Sequence, residues 1–238
     1  MRGGALGRSR SAGRRLGLLL ADVFVPARCA VCGRGEVLLC PGCRVALELL
    51  DGPLCARCGA PTAWPVARCA ECAGRRLAFA SARSAVAYEG PARRLVAGWK
   101  ERGLRRLDTV AAELVTLVVP RPPVAALAFV PGDPERTARR GQNPPQALAD
   151  ALASVWDLPV EPLLERRGGI PPQRGLSRLD RRSNVREAFR ATGRAPTRVA
   201  LVDDVYTTGA TVAAAAKELR RAGAGTVHVV TFARTVRR

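Results

Sequence analysis

The chain is poor in aromatic residues, which make up 4% of its 238 positions, so its core must be aliphatic, built from Ala, Val and Leu. Histidine is nearly absent. The only one, His228, falls in a late strand pattern and reads as a satisfied core or edge residue, not a ligand. Lysine is nearly absent too: of 39 basic residues only Lys100 and Lys217 are lysines. Acidic residues number 20, which leaves a net charge of +19. That excess favours polyanionic partners such as phosphorylated sugars, nucleic acid or an anionic membrane. The aromatics on which single-strand binders stack bases are scarce. No long apolar run is present. The most apolar early stretch, Leu16 to Val25, is interrupted by Asp22 and falls short of the ~20 residues a spanning helix needs. Arg14 and Arg15 precede it as in a secretory signal, but no small-x-small cleavage site follows cleanly. The expectation is no transmembrane segment, a cytoplasmic protein, a disordered basic tail over residues 1–15, and a short amphipathic helix over 16–27.

All eight cysteines lie between Cys29 and Cys72, as four C-x-x-C pairs: Cys29/Cys32, Cys40/Cys43, Cys55/Cys58 and Cys69/Cys72. Each pair is a two-thiolate hook, and two hooks complete a tetrahedral Cys₄ zinc site. A disulfide framework suits a secreted chain, and four such motifs without thioredoxin-like surroundings make poor redox centres. Two structural Zn²⁺ sites are expected. Sequential pairing gives Cys29, Cys32, Cys40 and Cys43, then Cys55, Cys58, Cys69 and Cys72; spacing alone leaves a crossed arrangement open. Four thiolates leave no open position, so the metal folds a segment too small for its own core.

The densest chemistry is in Arg198 to Thr211, RVALVDDVYTTGAT. Val199 to Val202 reads as a strand buried on both faces, as in a parallel sheet. Asp203 and Asp204 follow, then Thr207, Thr208, Gly209 and Thr211. A helical pattern comes next, with Val212, Ala215, Ala216 and Leu219 on one face. Free amides and the dipole at a helix start favour an anion, and Gly209 lets backbone approach it. An acidic pair beside that cradle suits sugar hydroxyls, or a Mg²⁺ held through waters. The ligand that satisfies both is a phosphorylated ribose. A P-loop is excluded, because no glycine-lysine pair precedes the helix and Lys217 lies well inside it.

Elsewhere, Ser84 to Tyr88 alternates like a strand, and Pro91 opens a helix carrying Leu95, Val96 and Trp99. Asp108 to Val119 reads as a helix, Ala125 to Val130 as a buried strand, and Pro145 to Val155 as a helix. Between the last two, Arg136, Arg139 and Arg140 form a basic loop able to hold a pyrophosphate. The long basic stretch from Arg166 to Asn184, with Arg174 and Arg178, reads as a lid. Thr226 to Ala233 is a final strand. These elements predict an α/β domain over residues 77–238 behind a small cysteine-rich domain over 28–76.

The acid-and-threonine stretch looks like the 5-phosphoribosyl 1-pyrophosphate (PRPP) signature of type I phosphoribosyltransferases. Taken with the paired cysteines, the AYEGPARRLV block with its following Trp-Lys, and Gln173 to Phe189 (QRGLSRLDRRSNVREAF), the chain resembles the ComF family. That resemblance implies a type I phosphoribosyltransferase fold, a mostly parallel sheet flanked by helices, preceded by a double zinc ribbon. It implies that Asp203 and Asp204 hold the ribose diol in catalysis. Val205, Tyr206, Thr207, Thr208, Gly209, Ala210 and Thr211 would hold the 5′-phosphate. Arg136, Arg139, Arg140, Arg174 and Arg178 would steady the pyrophosphate, with Mg²⁺ as cofactor. The family's biology is handling of single-stranded DNA during natural transformation, with partners in the competence machinery. A non-catalytic PRPP- or nucleic-acid-binding module is the alternative. The chain departs from the family pattern at Asp133, in place of His, at Gln142, in place of Phe, and at Pro144, in place of Gln. An acid at Asp133 is expected to weaken a nearby anion site.

Overall fold

A computed structural model of the chain describes residues 28–167 and 188–237. The expected tail over 1–15, the helix over 16–27 and most of the lid, with Arg174 and Arg178, lie outside the described residues.

Four parallel strands form the central sheet: β1 (Ser81–Ala87), β2 (Ala126–Phe129), β5 (Arg198–Tyr206) and β6 (Thr226–Arg234). Their order is β1-β6-β5-β2. Two short strands, β3 (Leu164–Arg166) and β4 (Phe189–Ala191), pair antiparallel beside it. Val199, Ala200, Leu201 and Val202 are fully buried, as a short apolar run in a parallel sheet requires. β5 does not stop at Val202. It carries both acids and Tyr206, with Asp203 in register with Thr231 of β6.

One face of the sheet is covered by α2 (Gly90–Lys100), α3 (Leu107–Val118) and α5 (Pro144–Trp156), through Leu95, Trp99, Leu114, Leu148 and Leu152. The other is covered by α6 (Ala210–Arg221), through Val212, Ala215, Ala216 and Leu219, together with Leu164 and Phe189. Truncating one such buried leucine to alanine costs about 2–5 kcal/mol. α1 (Pro41–Val45) is a single short turn opening on the second cysteine hook.

The cysteine-rich segment does not stand apart. Cys29, Ala30, Leu39 and Leu47 join the core on the α2–α3–α5 face. Cys55, Cys58, Cys72 and Phe79 join the core on the α6 face. Leu50 also donates its amide to Ala85 and so covers the outer edge of β1.

One expected loop is a helix. Residues carrying Arg136, Arg139 and Arg140 form α4 (Pro134–Arg140). Pro134 stands at its first position, and the Asp133 side chain accepts from the Arg136 amide at 3.0 Å. Gly141 ends the helix in the left-handed region, at φ +68°. Proline at the start, an aspartate cap and a terminal glycine outweigh the charge of the arginines. Asp133 therefore serves as a cap.

Candidate functional site

The carboxyl edge of the sheet gathers the chemistry. β2 and β5 run side by side, with Phe129 opposite Val202. The two chains that leave this edge start α4 and α6, so both helix N-termini face the same rim as the acids. This is where ligands bind in open α/β sheets.

Asp203 and Asp204 are both buried. Asp203 Oδ1 accepts from the Asp204 amide at 2.9 Å. Asp204 Oδ1 is ion-paired with Lys100 Nζ at 2.7 Å, at the last residue of α2. Burial, and then the neighbouring charge of Asp204, push the Asp203 carboxyl up to about 8; Lys100 and Arg166 oppose this only in part.

The turn after the acids is shaped for a close approach. Thr207 and Thr208 are exposed, and Gly209 is buried. Gly209 adopts φ +72° at the start of α6, and a Cβ there would collide with the Tyr206 hydroxyl and ring. Only glycine satisfies both constraints. Thr208 Oγ1 accepts weakly from the Ala210 amide at 3.4 Å. The first-turn amides of α6 lie beside two exposed hydroxyls, the arrangement that cradles an anion.

Sequence reading missed three residues around this site. Lys100 was one of only two lysines in an arginine-saturated chain, which is the signal that could have marked it. Arg75, just past the last cysteine, donates through Nη2 to the Thr208 carbonyl at 2.7 Å. Arg234, fully buried, lies with its guanidinium 5.1 Å from the centroid of the Tyr206 ring. Its place at the end of an apolar strand was the available hint. Arg136, Arg139 and Arg140 lie on α4, the helix that follows the carboxyl end of β2. His228 pairs with Ser81 through Nδ1 at 2.8 Å, the satisfied role expected of it.

The eight cysteines close into two clusters, Cys29/Cys32/Cys40/Cys43 and Cys55/Cys58/Cys69/Cys72, with each cluster's sulfurs within 4.8 Å of one another. This is the sequential pairing. Tetrahedral zinc with bonds of ~2.3 Å implies sulfur–sulfur edges of about 3.8 Å. The second cluster has edges of 3.4 Å (Cys58–Cys69), 3.6 Å (Cys55–Cys72) and 3.9 Å (Cys69–Cys72), and the first has one of 3.8 Å (Cys32–Cys40). Backbone amides also point at the sulfurs, from Cys40 to Cys29 at 3.5 Å and from Cys69 to Cys55 at 3.3 Å. Burial raises the Cys55 thiol, but amides of Cys58, Cys69 and Arg57 outweigh it and bring it down to about 6, whereas burial pushes the Cys58 thiol up to about 12 and also raises that of Cys72. Both donor sets are consistent with zinc sites.

Among the described residues no helix is long and apolar enough to cross a membrane. The double zinc ribbon domain family matches residues 20–73. Competence protein F of Haemophilus influenzae is 31% identical over 229 residues, covering 89% of this chain and 98% of that protein. The DNA utilization protein YhgH of Salmonella typhimurium is 31% identical over 89% of this chain and 99% of its own, and that of Escherichia coli K12 is 28% identical over the same shares. Among solved structures, an adenine phosphoribosyltransferase from Thermoanaerobacter pseudethanolicus aligns over 54% of this chain and 80% of its own, at 13% identity and TM-score 0.34. A purine phosphoribosyltransferase from Pyrococcus horikoshii aligns over 56% and 83%, at 17% identity and TM-score 0.30. At those scores the likeness transfers no residues. The near-complete coverage of relatives above 30% identity does decide the family: this chain belongs to the competence protein F, or ComF, family.

Proposed function

We propose that the chain binds PRPP with Mg²⁺ at the carboxyl edge of β5 and transfers the phosphoribosyl group to an acceptor, in the cytoplasm and in the service of DNA use or uptake. The observation that carries this reading is the buried acid pair running directly into the glycine turn of α6. Asp203 and Asp204 hold the ribose diol. Thr207, Thr208 and Thr211, with the amides of the turn and helix start, hold the 5′-phosphate. Arg136, Arg139 and Arg140, with Arg174 and Arg178 from outside the described residues, steady the pyrophosphate. The acceptor's lone pair forms the new bond at the anomeric carbon as the carbon–oxygen bond to pyrophosphate breaks, and pyrophosphate leaves with the electron pair. The acceptor's proton passes to solvent. This reaction has an oxocarbenium-like transition state, so positioning and charge stabilisation carry the catalysis.

Mg²⁺ supplies charge neutralisation to the departing pyrophosphate when bound. The acid pair would hold it through waters. Asp204 is already ion-paired with Lys100, which leaves little free charge for a cation alone, so PRPP would bring the metal with it. The two cysteine clusters hold two structural Zn²⁺ ions.

A second reading is favoured by the charge of +19 and by relatives described as DNA utilization proteins. Here the sugar-phosphate site is a sensor or grips a nucleic-acid 5′ end, and the basic surface binds single-stranded DNA or a competence protein. Affinity for DNA would then fall steeply with salt. The double variant Asp203→Asn, Asp204→Asn tests the site itself. PRPP binding should be abolished in calorimetry, whereas undiminished binding would overturn the assignment.

A further inference from the structure

The second cysteine cluster and the phosphate turn share a buried arginine. Arg234 is 0% exposed at the end of β6. A buried guanidinium is costly unless its donors are satisfied. Here Nη1 donates to the Cys58 carbonyl at 2.6 Å, and Nη2 donates to Glu71 Oε2 at 3.0 Å. Nε makes a weaker bond to the Thr235 carbonyl at 3.4 Å. The two short bonds both end on the metal knuckles. Cys58 closes one hook of the second cluster, and Glu71 lies between the two cysteines of the other.

The guanidinium carbon also lies over the Tyr206 ring, and Phe79 meets that ring edge-on at 6.4 Å between centroids. Tyr206 in turn supports the phosphate turn. Its hydroxyl and ring lie where a Gly209 side chain would be, and its carbonyl accepts from the Thr235 amide at 2.9 Å. A second tie bypasses the arginine. Arg75 bonds through its own amide to the Cys72 carbonyl at 3.2 Å, and its side chain holds Thr208.

We propose that Arg234 is a positioning residue that couples the second tetra-cysteine site to the phosphate turn, with Arg75 as a parallel tie. The proposal deepens the reading of that turn as the sugar-phosphate cradle, and rests on it for its functional meaning. Metal at Cys55, Cys58, Cys69 and Cys72 fixes both knuckles, and so fixes the Cys58 carbonyl and Glu71. These fix Arg234, which holds Tyr206 beneath Gly209. When that metal is lost, the acceptors of Arg234 move and the turn loosens. By reciprocity, a ligand on the turn tightens that metal site.

Amide hydrogen exchange on the full, zinc-loaded chain without ligand is the test. The reporters are Ala213 and Thr235, whose amides bond to the Gly209 and Tyr206 carbonyls. Val130, bonded to Val202, and Leu50, bonded to Ala85, are the controls. In Arg234→Met both reporters should exchange about tenfold faster or more, with both controls unchanged and two zinc ions retained. Retained zinc separates positioning from loss of the metal. Should Arg234→Met not fold, Glu71→Gln keeps the same shape, and a smaller acceleration of the same two amides is expected. Removing one metal with Cys69→Ser should accelerate the reporters as much as Arg234→Met. Unchanged reporter exchange in Glu71→Gln and Cys69→Ser would overturn the coupling. Exchange is read without ligand, so a chain that fails to bind PRPP yet shows the coupled acceleration refutes the sugar-phosphate reading and upholds the coupling.

Discussion

The two cysteine clusters have the same ligands and different surroundings. In the first, Cys29 is buried, Cys32 is exposed, and Cys40 and Cys43 are half-buried. In the second, Cys55, Cys58 and Cys72 are buried. The first is tied to the segment just past α2, where Arg102 donates to the Ala30 carbonyl at 2.6 Å, and to α3 by the exposed Arg44–Glu113 pair at 2.6 Å. The second is tied to β1 and β6. Arg83 donates to the Ala56 carbonyl at 3.1 Å, and a Cβ on Gly59 would collide with the Ala82 carbonyl. Identical ligand sets therefore have different neighbours. One cluster backs the helix that presents Lys100 to Asp204, and the other backs the Gly209 turn.

The strongest way to break this contrast is to remove one ligand from each cluster. Cys32→Ser and Cys72→Ser should each reduce the zinc content from two to one, read by metal analysis. Cys72→Ser should lower stability by about 3 kcal/mol or more, because a structural zinc is a large part of the folding energy of its segment, and it should abolish PRPP binding. Cys32→Ser should keep PRPP binding within a few-fold. Equal loss of binding in both would remove the distinction between the clusters.

The next effect concerns the acid pair between them. The Asp203 carboxyl is raised in the folded chain to about 8, against ~3.9 when unfolded. Its contribution to stability is therefore complete below pH 4 and is lost as pH rises through 8. Thermal unfolding of the ligand-free protein should show stability falling as the pH rises over that window. Asp203→Asn should flatten the profile, and an unchanged slope would contradict the burial of that charge.

A smaller effect sharpens the role of the first cluster's face. Lys100→Ala leaves Asp204 buried without its partner. It should cost about 3 kcal/mol, more at high pH than at low pH, because ionising Asp203 adds a second buried charge that Lys100 offsets. A loss that does not depend on pH would mean that Lys100 acts by packing alone.

Much of this architecture could be read from residue pattern. The run Val199 to Val202, the acids and the glycine turn announced a parallel strand meeting a helix, because burial on both faces and a left-handed position each leave a local mark. The C-x-x-C hooks were equally legible, but spacing left their pairing open, and only the folded chain shows it to be sequential. The helix α4 was not, since the cap at Asp133 was read as a charge and not as a hydrogen-bond acceptor. Lys100, Arg75 and Arg234 were not legible either. Their partners lie 104, 133 and up to 176 positions away, and only the fold brings such groups together. In a chain with so many arginines, Arg234 carried no mark except its place at the end of a buried strand.

On the proposed reading, the acid pair and the glycine turn form a sugar-phosphate site that takes its metal with the ligand. Calorimetric titration of the zinc-loaded protein with PRPP, with and without Mg²⁺, tests it most directly. Saturable binding that needs Mg²⁺, with no heat from Mg²⁺ alone and none in Asp203→Asn, Asp204→Asn, is the expected result. No binding of PRPP by a folded chain holding two zinc ions would contradict it.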